Sequence, residues 1–195
     1  MSRDKILAAL RENQPELVPL PAAMPLARVE ILELQAKFKV MAEGIGSTVH
    51  LVDEFAAIQP LIIAQFSGEK RIVSTVKELV SADISGFEFH PDPHSYADTD
   101  VAIFKSSIGV AENSALWLTE EQMGIRVLPF ITQHMVMIVP LSAIVPDMHT
   151  AYQKIGEAEY DFGTFIAGPS KTADIEQSLV LGAHGPRSMT IFIYA

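Results

Sequence analysis

The sequence contains no cysteine. Disulfides, zinc fingers, a thiol nucleophile and a cysteine-ligated iron–sulfur cluster are therefore excluded from this chain. Basic residues are scarce: 14 Lys and Arg stand against 24 Asp and Glu, for a net charge of −10. The deficit is spread along the chain, with 9 basic and 15 acidic side chains in residues 1–100 and 5 and 9 in the remainder. No Lys/Arg cluster stands out, so duplex nucleic acid and an anionic membrane surface are poor partners. Long apolar runs are also missing. The most apolar stretch, Met135 to Val145, contains Pro140 and falls well short of the ~20 residues a transmembrane helix needs. The apolar run near the amino terminus, Ile6 to Leu10, is too short for a signal peptide. A soluble cytoplasmic protein with no membrane insertion is the expectation.

What is present is a chain of 195 residues, 49% apolar and only 19% charged. That length suits one domain, or one domain with a small appendage, which buries roughly 70% of the surface its unfolded chain exposes. The mean hydropathy of +0.25 is high for a soluble monomer. It points to elements buried on both faces or to a subunit interface, so a homo-oligomer is compatible with it.

Ser2 suits the cap of a short helix with Ile6, Leu7 and Leu10 on one face. Pro15, Pro19, Pro21 and Pro25 then make an extended connector. Residues 1–24 are thus read as an arm, and residues 25–195 as a single α/β domain. A helix is expected over Ala27–Glu43, with Gly44 as its stop, then a strand over Ser47–Val52. Asp53 suits the cap of a helix running to Phe66, which Pro60 would kink or break. Arg71–Ser74 reads as a strand, Thr75–Leu79 as a short helix and His90–Tyr96 as a Pro-rich loop. Strand composition recurs at 101–104, 108–111, 116–119, 134–139, 165–167 and 190–194, with a helix over 146–155. The alternation predicts an open sheet of parallel strands with flanking helices.

Three constellations have the residue types of a site. In Ser107-Ile-Gly-Val-Ala-Glu-Asn-Ser-Ala-Leu-Trp-Leu-Thr119 two β-rich runs flank a polar turn. Asn113 and Ser114 suit the turn, whereas Glu112 ends a run that looks buried. A carboxylate against apolar walls suits a general base or nucleophile, but Glu112 is equally readable as an acceptor for the turn's amides. The second is Gly168-Pro-Ser-Lys-Thr-Ala-Asp-Ile-Glu176, following an expected strand. Gly168, Ser170, Lys171 and Thr172 have the makings of an anion-binding loop. Asp174 and Glu176 would repel a dianion, and a capped helix start with Asp174 as cap is the competing reading. The third is Leu181-Gly-Ala-His-Gly-Pro-Arg187. There two glycines and a proline fix a tight loop around His184, a base or a ligand-orienting donor, with Gly185 beside it. We expect Glu112, Ser170, Thr172, Asp174 and His184 to share one cleft at the carboxyl edge of the sheet. His90, Asp92 and His94 are metal-compatible in type, but nothing in the sequence supplies the remaining ligands, so no metal is assigned. His134 reads as a satisfied histidine at the core edge.

The last two segments, with Leu179-Val-Leu-Gly-Ala-His-Gly-Pro186, closely resemble the carboxy-terminal signature of the LUD-domain family, best known from lactate-utilisation proteins of the C class. Ala111-Glu-Asn-Ser-Ala-Leu116, Leu128-Pro129 and His134 fit that family in order and spacing. The likeness is loose over 26–195 and good over 100–195. It implies a Rossmann-like open sheet similar to ribose-phosphate isomerases, glucosamine-phosphate deaminases and CoA transferases. It also implies a place in oxidation of lactate to pyruvate, as a cluster-free subunit beside iron–sulfur partners. Ala111-Glu-Asn-Ser114 further resembles the Ser-Glu-Asn-Gly motif whose Glu is the CoA-transferase nucleophile. It differs at both ends, and no Gly-x-Gly-Gly-Phe segment accompanies it.

Three functions follow: a lactate-system subunit binding a small carboxylate or partner proteins, an independent enzyme using Glu112, or an interaction module with a vestigial site. A carboxylate ligand needs a local cation, for which Arg126, Lys171 and Arg187 are the candidates. No cofactor can be named from the sequence.

Overall fold

The structure is a computed structural model that describes residues 3–16, 18–19, 30–156, 158–173 and 179–195. The first half holds α1 (Arg3–Glu12), α2 (Ile31–Gly44), β1 (Thr48–Val52), α3 (Ile58–Gln65), β2 (Ile72–Ser74) and β3 (Ser85–Gly86). Then come β4 (Val101–Lys105), β5 (Ile108–Val110), β6 (Leu116–Thr119), α4 (Glu120–Met123), α5 (Leu128–Ile131) and β7 (His134–Pro140). The chain closes with β8 (Ile144–Val145), α6 (Met148–Ile155), β9 (Gly163–Ile166), β10 (Lys171–Ala173), β11 (Leu179–Leu181) and β12 (Ser188–Tyr194).

The expected parallel sheet is there: six strands in the order β1-β12-β7-β4-β2-β3, every neighbouring pair parallel. Its central strands are apolar on both faces, as a parallel sheet covered on both sides demands. Alternate residues face opposite ways. Ala102, Phe104, Met135, Met137, Val139, Ile191 and Ile193 join a core with Leu34, Phe38 and Ala42 of α2. Val101, Ile103, Val136, Ile138 and Phe192 join a second core with Ile58, Ile62 and Phe66. The carboxy-terminal strand β12 lies inside the sheet, between β1 and β7.

A second sheet, β8-β5-β6-β9, was not foreseen as a separate layer. Leu116, Leu118 and Ile144 turn one of its faces to the α2 core. Val110, Trp117 and Val145 turn the other to Ala151 and Ile155 of α6. The layers thus run α3, parallel sheet, α2 with the small sheet, α6.

Pro60 does not break its helix. A one-turn 3-10 segment (Phe55–Ala57) precedes α3, so Pro60 falls in the first turn of α3, where amides have no intrahelical acceptor to lose. Thr75–Leu79 reduces to the single 3-10 turn Lys77–Leu79. Ser2 and residues 20–29 of the arm and connector lie outside the described residues. Among the described residues no helix is long and apolar enough to cross a membrane.

Candidate functional site

Two motif loops do come together, but at the amino edge of the parallel sheet rather than the carboxyl edge. Residues 182–187 lead directly into β12. Because β12 runs parallel to β7 from the Ser188–His134 pair onward, the loop must lie where those strands begin. β9 is antiparallel to β6, and its last residue, Ile166, pairs with Leu116. The chain then turns at Gly168, which has φ 74°. A Cβ there would lie 2.9 Å from Ile45, at the end of α2.

Backbone hydrogen bonds weld the loops. The Ser170 amide donates to the Pro186 carbonyl (2.9 Å), the Gly182 amide to Ser170 (3.0 Å) and the Arg187 amide to Gln133 (2.8 Å). Gly185 lies so close to Ser170 that a Cβ would stand 3.1 Å from the serine Cβ. The Lys171 ammonium is spent on the Ile45 carbonyl, and the Thr172 hydroxyl donates to the Val180 carbonyl at 3.4 Å. Lys171–Ala173 and Leu179–Leu181 form the antiparallel pair β10 and β11, and the expected helix start capped by Asp174 lies outside the described residues. His184 and Lys171 are exposed. Asp174 and Glu176 lie outside the described residues.

Glu112 does not join these loops through any hydrogen bond among the described residues. Its side chain is exposed rather than walled by apolar groups, and it accepts from the Met148 amide at 3.0 Å, the first residue of α6. Asn113 accepts from the Ala115 amide at 3.0 Å, while Ser114, not Asn113, takes the positive φ of 57°. Arg126 is placed elsewhere. It pairs with Glu120 at 2.7 Å and lies over the Phe162 ring at 5.1 Å. Thr119 and Gly163, beside those groups, pair at the far end of the small sheet from Leu116 and Ile166. The hydrogen bond to Glu120 raises the guanidinium pKa, which keeps the cation in that pair.

His134 is satisfied at the core edge. Its Nδ1 bonds the Ser188 hydroxyl at 2.7 Å, and its Nε2 lies 3.6 Å from Glu69. In the Pro-rich loop, the Asp92 carboxylate accepts from the His94 amide at 2.9 Å and caps a 3-10 turn.

The carboxyl edge of the parallel sheet has a cleft that no motif announced. The chain leaves β2 toward β3 at one side of the sheet and leaves β4 toward β7 at the other. Between β2 and β4 the direction of winding therefore reverses, and ligands of open α/β sheets bind in such a crevice. A cavity of about 420 Å³ occupies this place, lined by Thr75, Val76, Lys77, Lys105, Ser107 and Gln122 among others. Thr75 ties two walls together, its hydroxyl within 2.8 Å of the Gln122 carbonyl and 3.2 Å of the Ile103 carbonyl. Ser106 is buried and bonds the carbonyls of Ile108 and Trp117, both at 2.8 Å. The Lys105 ammonium lies 5.4 Å from the Phe55 ring and 5.5 Å from that of Tyr194. Glu78 also lines the cleft, yet among the described residues neither Lys77 nor Lys105 forms an ion pair. The sequence signal was present, a lysine ending an apolar strand. Its meaning depends on strand order, which the sequence does not display.

The fold is thus an open parallel α/β sheet with a small second sheet on one face. A crystal structure of a DUF162 family protein from Deinococcus radiodurans has this fold, with a TM-score of 0.67 and 18% identity, over 86% of this chain and 100% of that one. The LUD domain profile matches residues 31–194, and the chain belongs to the LUD domain family. It is similar to Lactate utilization protein C of Geobacillus kaustophilus, with 38% identity over 93 residues, 45% of this chain and 39% of that protein. The protein of the same name from Oceanobacillus iheyensis is 30% identical over 100 residues, 48% of this chain and 43% of that protein. The matched regions cover less than half the length of these curated relatives.

Proposed function

We propose that this chain is a component of a lactate-utilisation system that carries no iron–sulfur cluster of its own, and that it holds a small carboxylate in the cleft between β2 and β4. The relatives' names support the first part. The observation that carries the second is Lys105. A cation that forms no ion pair among the described residues ends a central strand at the crevice where the winding reverses. A carboxylate there gains a charge-assisted bond, and Val76 and Pro140 in the lining suit a short aliphatic body. The cleft binds and orients; we assign it no bond-breaking step.

Calorimetric titration with lactate and with pyruvate tests this reading. At least one should bind saturably and raise the melting temperature, since a ligand of the folded state alone stabilises it. Lys105→Met should weaken binding about 10-fold or more, the worth of one hydrogen bond to a charged group, with little loss of stability. Absence of binding to the wild type, or equal binding to the variant, refutes it.

The motif loops favour a second role, docking of an iron–sulfur partner. Phe130, Val180 and Leu181 are 45%, 41% and 50% exposed, on or beside the welded loops that carry Lys171 and His184. Leu181→Asp should abolish co-purification with co-expressed iron–sulfur subunits and leave carboxylate binding intact; unchanged co-purification refutes it. An independent enzyme using Glu112 draws no support from a carboxylate engaged on the amide of Met148.

A further inference from the structure

Helix α1 buries none of its ten residues. Ile6, Leu7 and Leu10 are 47%, 37% and 60% exposed and fall within one turn-spaced stripe, with Arg3 in line and Arg11 alongside. An isolated helix this short is marginal in water, so it forms against another surface. Among the described residues its own chain does not supply that surface, and the stripe is open.

Helix α2 presents a matching face. Its inner stripe, Leu34, Phe38 and Ala42, is buried in the core. Its outer stripe, Leu32, Ala36 and Val40, recurs at four-residue spacing and faces solvent, with Leu32 69% and Val40 68% exposed. Beside it lies a groove of about 460 Å³, lined by Glu33, Leu34, Lys37, Met41 and Pro146 among others. An exposed apolar stripe on a helix whose other face is already buried marks a surface for interaction.

The ends of the two stripes carry opposite charges, Arg3 and Arg11 on α1 against Glu33 and Glu43 on α2, with Lys37 and Lys39 between those acids on α2. Arg3 and Arg11 of α1 are eight residues apart, about 12 Å along a helix. Glu33 and Glu43 of α2 are ten residues apart, about 15 Å. Lys39 is the local partner of Glu43 at 3.8 Å, an exposed pair that a second cation can join.

We propose that α1 of one copy docks along the outer stripe of α2 of a second copy, and the reverse, so that the chain is a homodimer held by exchanged amino-terminal helices. The exchange is isologous and gives two identical seams, each too small to hold alone. The segment from Asn13 to Val29 spans up to about 55–60 Å when extended, enough to cross a domain whose radius of gyration is about 15 Å.

Sedimentation velocity of the full chain from low to high micromolar concentration tests this. The wild type should sediment as a dimer. Leu10→Glu and Val40→Glu, both at exposed positions, should each shift it to monomer with the melting temperature kept. Reversing the acids (Glu33→Lys with Glu43→Lys) should weaken dimerisation at least 10-fold, and adding Arg3→Glu with Arg11→Glu should restore it. A wild type that is monomeric throughout overturns the proposal, as does a dimer that survives both Leu10→Glu and Val40→Glu. Helix docking within one chain would appear as the monomeric outcome and overturn it equally.

Discussion

Two carboxylates act on the same helix end, and separating them tests the place the structure gives Glu112. The Glu112 carboxylate accepts from the Met148 amide at 3.0 Å. Asp147 accepts from the Thr150 amide at 2.7 Å and its hydroxyl at 2.8 Å. Each thus satisfies an amide that α6 leaves without an intrahelical acceptor. Removing either should cost about 1 kcal/mol, the usual worth of such a cap, at the lower end for the exposed Glu112. Glu112→Gln keeps an acceptor oxygen and should lose about half as much as Glu112→Ala. The readout is built in. The chain has one tryptophan, Trp117, and it packs in the same cluster as Ala151 and Ile155 of α6. With a urea slope near the upper end of about 1–3 kcal/mol/M, a loss of 1 kcal/mol lowers the fluorescence midpoint by about 0.3–0.5 M. Because the two carboxylates sit on one helix end, their losses should couple rather than simply add, and the double variant measures that coupling. An unmoved midpoint for Glu112→Ala, beside a shifted one for Asp147→Ala, would show that the Met148 contact contributes nothing and reopen a chemical role for Glu112.

The Thr150 amide and hydroxyl hold the Asp147 pKa below its ordinary value. Its stabilisation is therefore complete above the unfolded value of about 3.9 and lost as pH falls through the lower folded value. The gap between wild type and Asp147→Ala should be full at neutral pH and close in acid; a gap that persists below the folded pKa refutes this. Gly163→Ala places a Cβ 2.4 Å from the Trp117 ring, and should cost about 1–3 kcal/mol from overpacking and shift the emission of that tryptophan; native stability and emission would refute the clash. Phe104 of β4 is fully buried in the core between the parallel sheet and the layer of α2 and the small sheet, so Phe104→Ala should lose about 3–5 kcal/mol in a urea melt, and a loss under 1 kcal/mol would mean that the site collapses around the missing ring.

The parallel sheet was legible because burial on both faces leaves a mark in the sequence. Val101–Phe104 and Met135–Val139 are continuous apolar runs, and such runs belong to strands covered on both sides. The small sheet was not legible as a layer. Ile108–Val110 and Leu116–Thr119 were readable as strands, but a three-residue strand shows no periodicity that says which sheet it joins. The pair of β10 and β11 was hidden for a related reason. Lys171-Thr-Ala173 is short and polar enough to read as a loop, and its pairing with Leu179–Leu181 is a tertiary fact. Pro60 breaks no helix, because its cost depends on its position in the helix. A helix beginning at Ile58 rather than Asp53 turns a breaker into a tolerated first-turn residue.

The same distinction explains why the expected site divides. Gly168-Pro-Ser170 and His184-Gly-Pro186 are conspicuous because their backbones are unusual, and unusual backbones need glycine and proline. Gly168 turns with φ 74° against Ile45, and Gly182, at φ 76°, leaves no room for a Cβ beside Arg187. Those constraints are met by welding two loops at the amino edge. The cleft proposed at the carboxyl edge needs only ordinary residues, a lysine ending one strand and a threonine following another, brought side by side by strand order. Lys105 and Thr75 are 30 residues apart in sequence and end adjacent strands. Such a site is specified by topology, so it becomes visible only once β4 is known to lie beside β2 with its connection running the other way. A titration in which Lys105→Met loses carboxylate binding while the welded loops keep their fold would separate the two kinds of specification on one molecule.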